Sequence, residues 1–136
     1  RQEAHVRTLT QKLGLHDRMI FTGFRRDIRR VLNGLDIVAF PFLNEGFGLS
    51  LLEAMACKKA VLATDSGPFP EIVAQGEDGM LVPAENPDRF AEGLCDLMND
   101  PGKREALGEK ARFKVIEMFS IPRQGEAYLR AFQEYL

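Results

Sequence analysis

Apolar residues fall into two rhythms along this chain. Val6, Leu9, Leu13 and Leu15 recur near helical spacing up to the stop at Gly14, whereas Met19-Ile20-Phe21 is a short continuous run ended by Gly23. The first pattern predicts a helix and the second a strand. Ile28, Val31, Leu32 and Leu35 mark a second short helix, followed by the apolar strand Asp36-Ile-Val-Ala-Phe40, which Pro41 stops. Strands that are apolar throughout are buried on both faces. The next cycle runs from the glycine-rich loop Asn44-Glu-Gly-Phe-Gly48 through a helix carrying Leu49, Leu52, Met55 and Ala56 to the strand Ala60-Val-Leu-Ala63. A turn-rich stretch, Thr64 to Pro70, leads to a short helix around Glu71–Ala74, and Gly79-Met-Leu-Val82 is the last strand. Asn86-Pro87 and Asp100-Pro101 each set a capping side chain before a proline, which opens helices over Pro87–Met98 and Pro101–Phe119. Ser120 caps a final helix from about Pro122.

This alternation, without repeats or linkers, predicts an α/β domain with a parallel sheet, flanking helices and a helical carboxyl-terminal extension. Residues 1–119 form the unit, and residues 120–136 are its last helix.

Charge narrows the partners. Eighteen Lys and Arg stand against 20 Asp and Glu in 136 residues, a net charge of -2. That leaves no long-range field to attract nucleic acid. No apolar run approaches the ~20 residues needed to cross a bilayer. Cys57 and Cys95, without Cys-x-x-Cys or metal-ligand spacing, read as small buried hydrophobes in a reducing, cytoplasmic compartment. The five methionines read as core packing. His5 and His16 lack the partners of a catalytic base. Arg25, Arg26, Arg29 and Arg30 spread over roughly 140° of a helix at 100° per residue and read as a solvated face. The first residue is Arg1, with no leader after it, which suggests a fragment.

In open parallel sheets ligands bind at the carboxyl ends of the strands, so the loops after Gly23, Phe40 and Ala63 are the candidates. Glu45-Gly-Phe-Gly-Leu49 places two glycines at a strand-to-helix turn, where free helix N–H groups donate to ligand oxygens. Glu45 stands where the helix dipole favours a carboxylate, which accepts hydrogen bonds from sugar hydroxyls. Glu53, eight positions later, has two readings of equal weight. It grips a second diol such as a ribose, or it closes a capping box with Ser50.

The stretch Glu45-Gly-Phe-Gly-Leu-Ser-Leu-Leu-Glu53-Ala-Met-Ala lies between Asp36-Ile-Val-Ala-Phe-Pro41 and Ala60-Val-Leu-Ala-Thr64. This order closely resembles the carboxyl-terminal, nucleotide-sugar domain of the retaining family 4 glycosyltransferases, which have the GT-B architecture. The similarity continues through Ser66-Gly-Pro-Phe-Pro-Glu71 and Gly79-Met-Leu-Val-Pro83 into the last helices. It implies that Glu45 is the catalytic-site carboxylate and contacts the donor hexose, away from the reacting carbon. It implies further that Gly46, Phe47, Gly48 and Leu49 hold sugar and phosphate, that Glu53 takes the ribose, and that Gly23 and Phe24 line the base pocket through backbone. No cofactor or metal is implied. The family pattern differs in having Ser at Phe42, Gly-Pro at the Lys58-Lys59-Ala60 turn, Gly at Pro68 and Trp at Ile121.

The resemblance also implies a missing portion: two amino-terminal strands with a phosphate-gripping Arg and Lys, and an acceptor domain, to which any peripheral membrane contact is left. The implied activity is transfer of a hexose-type sugar from a nucleoside diphosphate sugar to an acceptor, with this chain as the donor-binding part and inactive alone. The alternative is a non-catalytic nucleotide-binding or regulatory module that works with a partner chain. The implied strand order is 3-2-1-4-5-6 with the first two absent, so Met19–Thr22 and Asp36–Phe40 stand roughly 14 Å apart, three spacings of ~4.8 Å. Upstream residues or a second chain then fill the gap.

Overall fold

The structure is a computed structural model that describes residues 2–134. Ten elements follow one another: helices α1 (Gln2–Lys12) and α2 (Ile28–Asn33), strand β1 (Ile37–Phe40), α3 (Leu49–Ala56), β2 (Ala60–Asp65), α4 (Phe69–Ile72), β3 (Met80–Pro83), α5 (Pro87–Asn99), α6 (Pro101–Phe119) and α7 (Ile121–Glu134). The sheet is parallel, in the order β1-β2-β3. Ile37 stands beside Ala60, and Leu62 beside Met80.

The central strand divides two cores. Successive side chains of a strand point to opposite faces. Val61 and Ala63 of β2 therefore join Phe40, Leu51, Met55, Phe69, Ile72 and Ala111 on one side. Ala60 and Leu62 join Val82, Leu97 and Leu107 on the other. Helices α2, α3, α4 and α6 contribute to the first face, and α5 with Leu107 of α6 covers the second. Both expected proline-flanked caps form: Asn86 Oδ1 accepts the Arg89 N–H at 3.0 Å, and Asp100 Oδ1 accepts the Lys103 N–H at 2.8 Å. Ser120 contributes its carbonyl oxygen, which takes the Gln124 N–H at 3.0 Å.

Several expectations are corrected. Met19–Thr22 is not a strand, and no ladder joins it to the sheet among the described residues. Met19 is 42% and Ile20 88% exposed, and Phe21 finds its neighbour in the Arg7 guanidinium, 4.1 Å from the ring centre. The observed order is the 4-5-6 end of the implied sheet, so the neighbours that would pair this run are absent and its backbone stays unladdered. The short helix begins at Phe69 rather than near Glu71, because Pro70 suits a first helical turn and Phe69 is fully buried. Cys95 is exposed on the outer side of α5, while Cys57 is half-buried and both are free thiols. Met55 is buried, but Met19, Met98 and Met118 are exposed. Helix α7 has no buried residue. Where the resemblance expects glycine, Lys58 takes φ 58°, the left-handed conformation glycine adopts without cost.

Candidate functional site

The site is built where β1 gives way to α3. The connecting loop is fastened by the loop that follows β2. The Phe42 carbonyl accepts the hydroxyls of Ser66, at 2.8 Å, and of Thr64. Gly67, at φ 55°, lies so close to Glu45 that a Cβ would stand 3.3 Å from the Glu45 carbonyl oxygen. These contacts fix the backbone that carries Glu45, and they went unread in the sequence, which marked Thr64–Pro70 as turn-rich and as a candidate loop but not as the support of Glu45.

Gly48 starts the helix. Its φ of 85° lies in the left-handed region, and an added Cβ would meet Phe69 at 3.2 Å and Ile72 at 3.3 Å. Only glycine satisfies both the turn and the packing of α4 beneath it. The Gly48 carbonyl takes the N–H groups of Leu51 and Leu52. No side chain caps α3, and the N–H groups of Gly48, Leu49 and Ser50 have no acceptor among the described residues. The result is an open, partly positive helix start at the carboxyl end of the sheet.

Glu45 is half-buried, and its Oε1 accepts the Gly46 N–H at 3.1 Å. That bond leaves its other oxygen lone pairs to a ligand. Phe47 and Leu49 are exposed at 49% and 66%. The capping-box reading of Glu53 fails, because Ser50 lies inside α3, the cap position belongs to Gly48, and no side-chain cap bond forms. Glu53 is exposed one turn beyond Leu49, on the same side of the helix, and lines a groove with Ile28 and Arg29 of α2.

Glu45, Gly46, Phe47, Gly48 and Leu49 are thus gathered around one helix start, with Glu53 a turn along it. Gly23 and Phe24 are not joined to them by a hydrogen bond or shared cavity among the described residues. Gly23 takes φ 60° and Phe24 is 89% exposed. Beyond them, Arg25 donates to both Asp27 oxygens at 2.8 and 2.7 Å, and these bonds hold the Asp27 carboxyl below its usual range. A separate cleft of about 430 Å³ lies at the strand ends between Pro41, Leu43, Pro83, Phe90 and Leu94. It includes none of the expected residues, and its apolar lining does not suit a diphosphate. No group of three metal-ligating side chains occurs among the described residues. His5 and His16 are exposed, His16 beside Asp17 at 3.2 Å.

Residues 1–114 match the family described as glycosyl transferases group 1. The chain is 37% identical over 114 residues to a lipopolysaccharide core biosynthesis mannosyltransferase of Rhizobium leguminosarum bv. viciae, covering 84% of this chain and 32% of the relative. It is 37% identical over 107 residues to the D-inositol 3-phosphate glycosyltransferase of Corynebacterium glutamicum, covering 77% of this chain and 26% of that protein. The chain therefore spans a quarter to a third of these relatives. Among solved structures, the C-terminal domain of a glycosyl transferase group 1 family protein from Francisella tularensis superposes with TM-score 0.80 at 34% identity, covering 88% of this chain and 63% of that one. Anabaena HepE in complex with UDP superposes with TM-score 0.87 at 27% identity, covering 94% of this chain and 36% of that one.

Proposed function

The chain belongs to the glycosyl transferases group 1 family, and on that footing we propose that it is the donor-binding part of a retaining, family 4 glycosyltransferase. The donor is a nucleoside diphosphate sugar of hexose type, used in the cytoplasm. The acceptor is held by a part of the protein outside this chain. HepE, a neighbour in fold, binds UDP and UDP-glucose, which supports this class of donor.

The observation that carries the reading is the uncapped start of α3 beside Glu45. As the bond between sugar and phosphate breaks, negative charge grows on the leaving diphosphate. The N–H groups of Gly48 and Leu49, fixed before the reaction begins, donate to that charge and favour the transition state over the ground state. Glu45 accepts hydrogen bonds from donor-sugar hydroxyls and orients the ring, while Glu53 accepts the ribose hydroxyls. The Gly23–Phe24 backbone lines the base pocket once the rest of the sheet is in place. None of these steps needs a cofactor or a metal.

The test is Glu45→Ala in the full-length protein that carries this chain. Removing a contact to the sugar lowers turnover by two or more orders of magnitude, about 3 kcal/mol of barrier, while affinity for UDP changes less than about threefold. An unchanged rate with the natural donor removes Glu45 from the site. If the protein binds none of UDP, GDP and ADP, the donor reading fails altogether.

A further inference from the structure

Six cations from three separate stretches share one face of the molecule. Arg26, Arg29 and Arg30 line a groove of about 460 Å³ along α2. Arg29 also lines the adjoining groove, of about 590 Å³, where Lys58 of the α3–β2 turn and Arg112 of α6 meet Glu53. Lys59 ties the two stretches together, its Nζ donating to the Asn33 carbonyl of α2 at 3.1 Å.

Most of this charge has no counter-charge. Among the described residues Arg26, Arg29 and Arg30 make no ion pair, and Arg112 donates to a neutral partner, the Ala56 carbonyl, at 2.7 Å. Lys58 meets a carboxylate, Glu109, at 2.5 Å. Six cations thus face three acids, Asp27, Glu53 and Glu109, of which Asp27 is already paired with a further arginine, Arg25, in a chain whose overall charge is -2. Charge is segregated to this side, and the sequence alone hid it. The arginines read there as a solvated helix face, and the other three cations lie far along the chain.

We propose that this face docks on an anionic lipid bilayer, with its arginines at headgroup phosphates. Guanidinium forks match phosphate oxygens two at a time and stay charged at every physiological pH. The grooves are shallow and no aromatic ring lines either one, so they lack the stacking platforms that single-stranded nucleic acid uses. The second groove also holds Glu53, which the donor reading assigns to the ribose, so the proposal is tested at Arg26 and Arg30 of the first groove, with nucleotide binding in solution as its control.

The experiment is co-sedimentation of the full-length protein that carries this chain with vesicles of phosphatidylcholine alone or with about one third phosphatidylglycerol. The expected result is partition onto the anionic vesicles only, falling steeply as salt rises from about 0.1 to about 0.5 M. The double variant Arg26→Gln/Arg30→Gln, at about fivefold per cation, partitions at least tenfold more weakly. Its UDP affinity in solution equals that of the unsubstituted protein, which shows that the fold is intact. Equal partition of the variant and the unsubstituted protein overturns the proposal, as does equal partition onto neutral vesicles or none onto either. Release by millimolar inorganic phosphate at constant ionic strength also overturns it, because the face would then be an isolated anion site.

Discussion

Two runs of nearly the same character meet opposite fates in this chain. Met19-Ile-Phe21 and Ile37-Val-Ala-Phe40 are both short, apolar and stopped by a glycine or a proline. The second becomes β1, with Phe40 only 4% exposed, while Ile20 of the first is 88% exposed and unladdered. What separates them is neighbours: β1 has β2 beside it, and the first run pairs with no strand among the described residues. Strand formation is a property of a pair of segments, and a run's own composition settles only half of it. The same contrast holds more broadly. From β1 to α6 the chain encloses two cores, whereas Val6, Leu9, Leu13 and Leu15 near the amino terminus are each at least 40% exposed.

The contrast can be broken most forcefully at Gly108. A Cβ there would stand 2.2 Å from the Lys58 carbonyl oxygen, a backbone atom that cannot swing aside. Gly108→Ala should cost about 3 kcal/mol or more by urea unfolding, whereas Ile20→Ser should change stability by less than about 0.5 kcal/mol. Similar losses at the two positions would mean that the amino-terminal run is packed after all. A smaller effect of opposite sign is expected at Glu85, which holds φ 56° without being glycine. Glu85→Gly should raise stability by roughly 0.5 to 1 kcal/mol, read as a higher urea midpoint at unchanged slope. The smallest effect lies in the Arg25–Asp27 pair on the exposed side. The Asp27 carboxyl titrates below its ordinary range because of the hydrogen bonds from Arg25, so its stabilising contribution is present above that range and fades as pH falls through the lowered pKa. In an NMR titration, Arg25→Gln should move the Asp27 midpoint upward, and an unmoved midpoint would show that the pair does not persist in solution.

How much was legible follows from how local each signal is. The continuous runs of β1, β2 and β3, the Asn-Pro and Asp-Pro helix starts and the glycine-rich turn before α3 all rest on neighbours a few residues apart, and each lies where it was expected. Glu45 and the Gly46–Leu49 stretch were gathered for the same reason, within one loop and one helix turn. The features missed depend on residues far apart in sequence. Neither the two hydroxyls on the Phe42 carbonyl nor Gly67 against Glu45 leaves a local trace. The ambiguity at Glu53 came from a local pattern that fitted equally well one turn too late, and the backbone at Gly48 removes the capping-box alternative. Exposure of Met98, Met118 and Cys95 likewise depends on which side of a helix finds a core.

β2 stands as a wall between two cores, and among the described helices α6 alone reaches both, through Ala111 on one side and Leu107 on the other. Gly48, and with it the start of α3, rests on Phe69 and Ile72, both of which belong to the first core. Leu97, Leu107 and Leu62 lie behind the wall in the second. Descendants of this sequence are free to exchange the outward residues of α5, but not Gly93 and Leu97, which rest on β2, while the machinery in front inherits its geometry.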